Sequence, residues 1–123
     1  MYYSPLTRLH FERTECAGTL AGPPARRGSA GSPAQGTWVQ FDVRTAPEGA
    51  REVVAAARFL AYGCPHVIAV ADWIARAAIG REAKALLPLT VHQLREQFDI
   101  PIEKLGRLLI VEDAWIAAIS APC

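Results

Sequence analysis

Long apolar runs are missing from this chain of 123 residues, and so is an excess of charge of either sign. Thirteen basic against twelve acidic residues give a formal net charge of +1, so no broad field recruits nucleic acid or an anionic membrane surface. No stretch approaches membrane-spanning length without a charge. Residues 1–10 lack the uninterrupted apolar core of a signal peptide, and the expected location is cytoplasmic. Cysteine is scarce: Cys16, Cys64 and Cys123 are an odd number without CxxC spacing, which argues against a disulfide framework or a zinc knuckle. A glycine-rich nucleotide loop, a serine elbow and a paired-histidine zinc motif are also lacking. The usual enzyme templates find nothing to attach to, and the chain is not expected to be an enzyme.

What is present suits one domain over residues 1–123, with 51% hydrophobic and 20% charged residues. Ser4 as N-cap and Pro5 at the first helical position predict a short helix to Glu12. From Cys16 to Gly36 the composition turns to Ala, Gly, Pro and Ser, and a mobile loop is expected around 16–36. The Arg26-Arg27 pair inside it is expected to be solvated. Thr37 to Arg44 alternates, placing Val39, Phe41 and Val43 on one face of a half-buried strand. Pro47 and Gly49 mark a turn. Arg51 to Tyr62 mixes a helix-favouring Val54-Ala55-Ala56-Ala57-Arg58 with a strand-like Phe59-Leu60-Ala61-Tyr62. A strand is favoured, because the preceding one needs a partner for its backbone groups.

Pro65 starts a very apolar helix that runs to about Ile79 and stops at Gly80. His66, Asp72 and Arg76 are its only polar interruptions, and the Asp72/Arg76 spacing suits a modest surface ion pair. Thr90 with Gln93 forms a capping-box pattern before a helix to about Phe98. Pro101 opens a last helix to about Ser120, with Leu105, Leu108, Leu109, Ile116 and Ile119 as its apolar stripe. Strands followed by helices predict an α+β fold, a small antiparallel sheet with helices on one face.

Cys64 lies between a glycine that permits a sharp bend and a proline that starts a helix, which puts its sulfur near unpaired helix amides. That location can lower a thiol's pKa and make it a nucleophile or metal ligand; a small buried hydrophobe is the alternative. His66, two residues on, points away from Cys64 on a helix, so the two do not form a dyad. His10 and His92 have no ligand spacing around them and are expected in ordinary surface or capping roles. Cys16 and Cys123 are expected to be incidental thiols.

The run Ala57-Arg58-Phe59-Leu60-Ala61-Tyr62-Gly63-Cys64, followed by Ile68-Ala69, resembles the middle cysteine motif of the NifU/IscU iron-sulfur scaffold family. Gly31-Ser32-Pro33-Ala34-Gln35-Gly36-Thr37 is similar to that family's Gly-Ala-Pro-Ala-Cys-Gly-Asp run, and Ile100-Pro101-Ile102-Glu103-Lys104-Leu105 to its Leu-Pro-Pro-Val-Lys segment. The resemblance covers nearly the whole chain and implies a three-stranded antiparallel sheet. It also implies a role in assembling an iron-sulfur cluster with a cysteine desulfurase or other assembly proteins. Placed residue by residue, only the middle cysteine of the family's ligands remains, as Cys64. Gln35 stands at the first cysteine, Thr37 at the aspartate, Gly106 at the histidine and Arg107 at the last cysteine. The expectations that follow are a scaffold-like protein taking sulfur or part of a cluster at Cys64, or a metal-free binding or regulatory module with a reactive thiol. In the second, Arg107 supplies the positive charge that the missing metal would have given.

Overall fold

The computed structural model describes residues 3–21, 25–84 and 87–121. Helix α1 (Pro5–Glu12) leads to strands β1 (Ala25–Ser32), β2 (Thr37–Glu48) and β3 (Arg51–Tyr62). Helices α2 (Pro65–Ala78), α3 (Val91–Gln97) and α4 (Leu105–Ser120) follow. The strands form one antiparallel sheet in the order β1-β2-β3, the α+β architecture that the sequence predicts.

Strand periodicity sets the core. Val39, Phe41 and Val43 are fully buried on the helical side, joined from β3 by Val54, Ala57 and Phe59. Helix α4 packs on β1 and β2 and helix α2 on β3, with α1 laid against α2. The Phe41 and Trp115 rings meet edge to face at 5.2 Å between centroids. The β2-β3 hairpin turns at Gly49, whose φ of +64° a β-carbon would strain. Arg51 to Tyr62 is a strand throughout, so the need for a partner outweighs the helical propensity of its alanines.

Within the loop expected around 16–36, residues 25–35 are regular structure instead. They contain β1, then a 3-10 turn over Pro33–Gln35 capped by Ser32, whose hydroxyl accepts the Gln35 N–H. β1 has few large side chains because it needs none: its backbone pairs with β2 from Ala25 to Ser32, and its small residues let α4 approach. A β-carbon at Gly28 would collide with the backbone of Ala117 and Ala118. Arg26 and Arg27 are not simply solvated. Arg26 donates to the Ile119 carbonyl at 3.0 Å, and Arg27 makes a two-pronged ion pair with the buried Asp42, at 2.7 and 2.9 Å. Their aligned positions across β1 and β2 explain the match.

The β3 edge is covered by two extended segments. Phe59 N–H donates to the Cys16 carbonyl and Gly18 N–H to the Phe59 carbonyl, while residues 80–83 pair in the same way with Glu52 and Val54. This covering removes unpaired edge groups that would template pairing with another chain.

The helix boundaries follow their capping residues. Ser4 caps α1 and also donates to the Phe98 carbonyl at 2.6 Å, and the Thr90/Gln93 capping box is complete in both directions. Pro101 opens a 3-10 turn (Ile102–Lys104), and regular helix starts only at Leu105. In α4 the buried face is Leu108, Val111, Ala114, Trp115, Ala118 and Ile119, whereas Leu109 and Ile116 of the expected stripe are exposed. Small residues on the sheet side place Trp115, rather than the aliphatics, at the centre of the contact. Among the described residues no helix is long and apolar enough to cross a membrane.

Candidate functional site

Three segments converge at one end of the sheet. β2 begins at Thr37 beside the end of β3, because Trp38 pairs with Tyr62. β3 passes through Gly63 into Cys64, the N-cap of α2, and Pro65 occupies the first helical position. The first turn of α4 brings Arg107 to the Cys64 sulfur.

Cys64 is half-buried. Burial by itself raises its pKa, but the nearness of the Val67 N–H, the Arg107 guanidinium and the His66 N–H, with the Arg107 charge, outweighs it. The thiol is held below the ordinary 9.0. The sulfur lies at the positive end of the α2 dipole, beside first-turn amides and a fixed cation. The thiolate is the nucleophilic and metal-binding form of cysteine, so this position favours the reactive state.

The other positions marked by the resemblance lie on the same convergent segments but offer different chemistry. Gln35 is exposed at the end of the 3-10 turn. Thr37 is buried at the start of β2. Gly106 is exposed in the first turn of α4, with open space where a side chain would stand. Only Arg107 among them interacts with the Cys64 sulfur. A cleft of about 400 Å³ adjoins the site, lined by Gly36, Ala61, Tyr62, Gly63 and Ile68. Among the described residues no group of three or more His, Cys, Asp or Glu is arranged to hold a metal ion.

His66 forms no dyad with the Cys64 sulfur through its ring. Its ring is buried, meets the Tyr3 ring edge-on at 4.8 Å, and accepts at Nδ1 from the Lys104 ammonium at 3.2 Å. Burial, then the Lys104 and Arg107 charges, push its pKa down to about 4, so the imidazole is neutral at physiological pH.

A second titratable cluster, on the other flank of α2, is hidden from sequence reasoning. Asp72 is fully buried: its Oδ2 accepts from His10 Nδ1 at 2.7 Å, and its Oδ1 accepts from the Cys16 N–H at 3.0 Å. Arg76 reaches it at 3.7 Å, so the expected surface pair is the outer part of a buried network. His10 is a core residue rather than a surface one, and Cys16 is buried too. Burial and the Asp72 charge, only partly offset by Arg76 and Arg58, push the Cys16 thiol up from 9.0. The signal that could have found this cluster is a lone Asp inside an apolar helix, which needs polar partners from elsewhere in the chain. His92 is exposed as expected, and Cys123 lies outside the described residues.

The family model described as the NifU-like N terminal domain matches residues 3–121. This chain belongs to the NifU-like N-terminal domain family. Among curated relatives, it is similar to the protein named iron-sulfur cluster assembly scaffold protein IscU of Haemophilus influenzae, 27% identical over 122 residues, covering 98% of this chain and 94% of that one. The protein of the same name from Buchnera aphidicola (subsp. Acyrthosiphon pisum) is 29% identical over 126 residues, covering 98% and 94%. Its Escherichia coli K12 counterpart is 26% identical over 122 residues, covering 98% and 93%. A solved structure described as a putative iron-sulfur cluster assembly scaffold protein for the SUF system, from Fervidobacterium islandicum, superposes with a TM-score of 0.65 at 11% identity and covers 96% of each chain. That likeness confirms the NifU-like fold. The family match spans the described sheet and all four helices.

Proposed function

We propose that this NifU-like domain works in iron-sulfur cluster assembly as a scaffold-like sulfur acceptor, with Cys64 receiving sulfur from a persulfide donor such as a cysteine desulfurase. The observation that carries the reading is the placement of Cys64 as N-cap of α2 beside Arg107, which together lower its thiol pKa. The names of the curated relatives supply the context of cluster assembly.

The step is thiol exchange. The Cys64 thiolate attacks the terminal sulfur of the donor persulfide, the donor's sulfur–sulfur bond breaks, and the donor cysteine leaves as a thiolate. One sulfur atom moves to Cys64 and no external oxidant or reductant is consumed. Arg107 then faces a persulfide anion, which it holds in place by charge and hydrogen bonding. The chain acts as an acceptor and carrier in this reading, with no turnover of its own.

A complete cluster, as cargo, asks for several thiolate or comparable ligands. Gln35 and Thr37 are poor substitutes, and Gly106 and Arg107 supply none. A cluster bound at Cys64 therefore draws its remaining ligands from a second chain. The test is incubation of the purified chain with a cysteine desulfurase and cysteine, followed by mass analysis of the intact protein. Cys64 is expected to gain the mass of one sulfur, removable by reductant and absent in Cys64→Ala. A Cys64 that stays unmodified, with no Cys64-dependent absorption after anaerobic reconstitution with iron and sulfide, would sink the proposal.

Arg107 itself favours one second reading: a metal-free binding or regulatory module in which the cation replaces the metal's charge and holds an anionic thiol. In that case Cys64 takes no sulfur, yet its thiol pKa still rises in Arg107→Ala.

A further inference from the structure

At the far end of α2, about 20 Å along a 14-residue helix from Cys64, the structure holds a cleft of about 360 Å³. One wall is the segment 80–84, and backbone pairing fixes it in place. Gly80 N–H donates to Val54, Val54 N–H to Arg81, and Ala83 N–H to Glu52, at 2.8 to 2.9 Å. The Trp115 indole N–H reaches the Lys84 carbonyl at 3.3 Å and pins the segment from below. The walls therefore stand in place before any ligand arrives, which lowers the ordering cost of binding.

The lining mixes the apolar Leu87, Pro88 and Trp115 with the cations Arg51, Arg81 and Lys84 and the acid Glu82, and Glu48 stands beside Arg51. Arg51 is paired with the exposed carboxylate of Glu48 at 2.9 Å, with Glu82 adding a weaker attraction, and Lys84 is paired with Glu82 at 3.2 Å. Such exposed pairs are weak and exchange readily for another anion. The Arg81 guanidinium has no hydrogen-bond or carboxylate partner among the described residues.

We propose that this cleft binds a small organic anion, with its phosphate or carboxylate group held by Arg81 and supported by Arg51 and Lys84, and its apolar part resting on Leu87, Pro88 and Trp115. A guanidinium presents two parallel N–H donors that match the spacing of phosphate or carboxylate oxygens. The volume lies near the low end of small-molecule sites, about 300–1,000 Å³, which suits a molecule the size of a phenyl phosphate. Three cations against Glu82 and Glu48 leave an excess of one positive charge at the cleft, the sign that draws an anion, although the whole chain is nearly neutral. The proposal uses no residue of the Cys64 site and stands or falls apart from the sulfur-acceptor reading.

The experiment is an amide and indole NMR titration of the full chain with phenyl phosphate, with inorganic phosphate and neutral benzyl alcohol as separate probes. Phenyl phosphate is expected to give saturable shifts at Arg81, Lys84 and the Trp115 indole N–H, and to bind more tightly than either other probe. Arg81→Ser, a change at an exposed side chain, is expected to weaken phenyl phosphate about five-fold with an unaltered thermal midpoint. Lys84→Ser is expected to weaken it less, and serves as the independent variant if Arg81→Ser folds poorly. Non-saturable shifts, shifts centred on Cys64 and Arg107, equal affinity for inorganic phosphate or benzyl alcohol, or unchanged affinity in both variants would each overturn the proposal.

Discussion

Helix α2 carries a cysteine–histidine neighbourhood on each of two flanks, and the two behave in opposite ways. At its start, Cys64 and His66 are surrounded by cations and helix amides: Arg107 meets the sulfur and Lys104 meets the imidazole. Midway along, Cys16 and His10 converge on a buried carboxylate, Asp72. Burial raises the pKa of both thiols, yet the Cys64 thiol ends below 9.0 and the Cys16 thiol above it. The sign of the nearest charge, together with a place at a helix N-terminus, decides which thiol has the lowered pKa. One flank lowers the pKa of its thiol, and the other ties α1, α2 and the Cys16 segment together through a buried carboxylate.

The strongest way to break this contrast is to remove Asp72. Asp72→Ala leaves His10 and the Cys16 N–H buried without their acceptor, and is expected to cost about 4 kcal/mol of stability, measured by urea denaturation. Cys16 should then alkylate in the folded protein, where it is otherwise protected. A stability within 1 kcal/mol of wild type, on the order of an exposed pair, would show that the buried cluster is not structural.

Next in size is acid titration of His66. Its native pKa of about 4 lies below the ordinary 6.5, so between those values the unfolded chain binds a proton that the native chain does not. Stability therefore rises with pH across that window and is lost as pH falls from 6.5 towards 4. The loss amounts to about 3 kcal/mol. His66→Leu should flatten this part of the stability profile relative to wild type; an identical pH dependence would mean that burial and the neighbouring cations do not lower the native His66 pKa.

A smaller effect isolates the thiol. Arg107→Ala is expected to raise the Cys64 pKa and slow its iodoacetamide alkylation at pH 7 by roughly three- to ten-fold, leaving Cys16 untouched. An unchanged rate–pH profile would assign the lowered pKa to the helix amides alone.

The smallest test sets both thiols against each other in alkaline solution. Between the lowered Cys64 pKa and 9.0 the unfolded chain holds a proton that native Cys64 has lost, so its contribution to stability grows with pH and is lost as pH falls through the native value. Above 9.0 the native Cys16 keeps a proton that the unfolded chain gives up, so its contribution declines as pH rises towards the raised value. Cys64→Ala should remove the rise and Cys16→Ala the decline, read by denaturation midpoints along the pH series.

Features governed by neighbours in the chain could be read from the sequence. The Ser4 cap, the Thr90/Gln93 capping box, the Gly80 stop and the alternation at Val39, Phe41 and Val43 all act within a few residues of one another. Cys64 at a helix entry was local in the same sense. What escaped depended on distant partners. His10 meets Asp72 across 62 positions, Arg27 meets Asp42 across 15, and β1 is a strand because β2 and α4 make it one. Leu109 and Ile116 matched the helical period, but the orientation of α4 is set by its contact with the sheet through small residues and Trp115, which no single helix encodes.

Gly28 sits on the outermost strand, where substitutions are ordinarily absorbed by solvent. With the α4 backbone pressed against it at Ala117 and Ala118, that freedom is gone. A saturation scan of the chain would find position 28 intolerant even of alanine, while neighbouring Ser29 accepts many replacements. In mutational terms the edge of this sheet behaves like its centre, and the least conspicuous residue of a low-complexity stretch sets how far sequences of this fold can drift there.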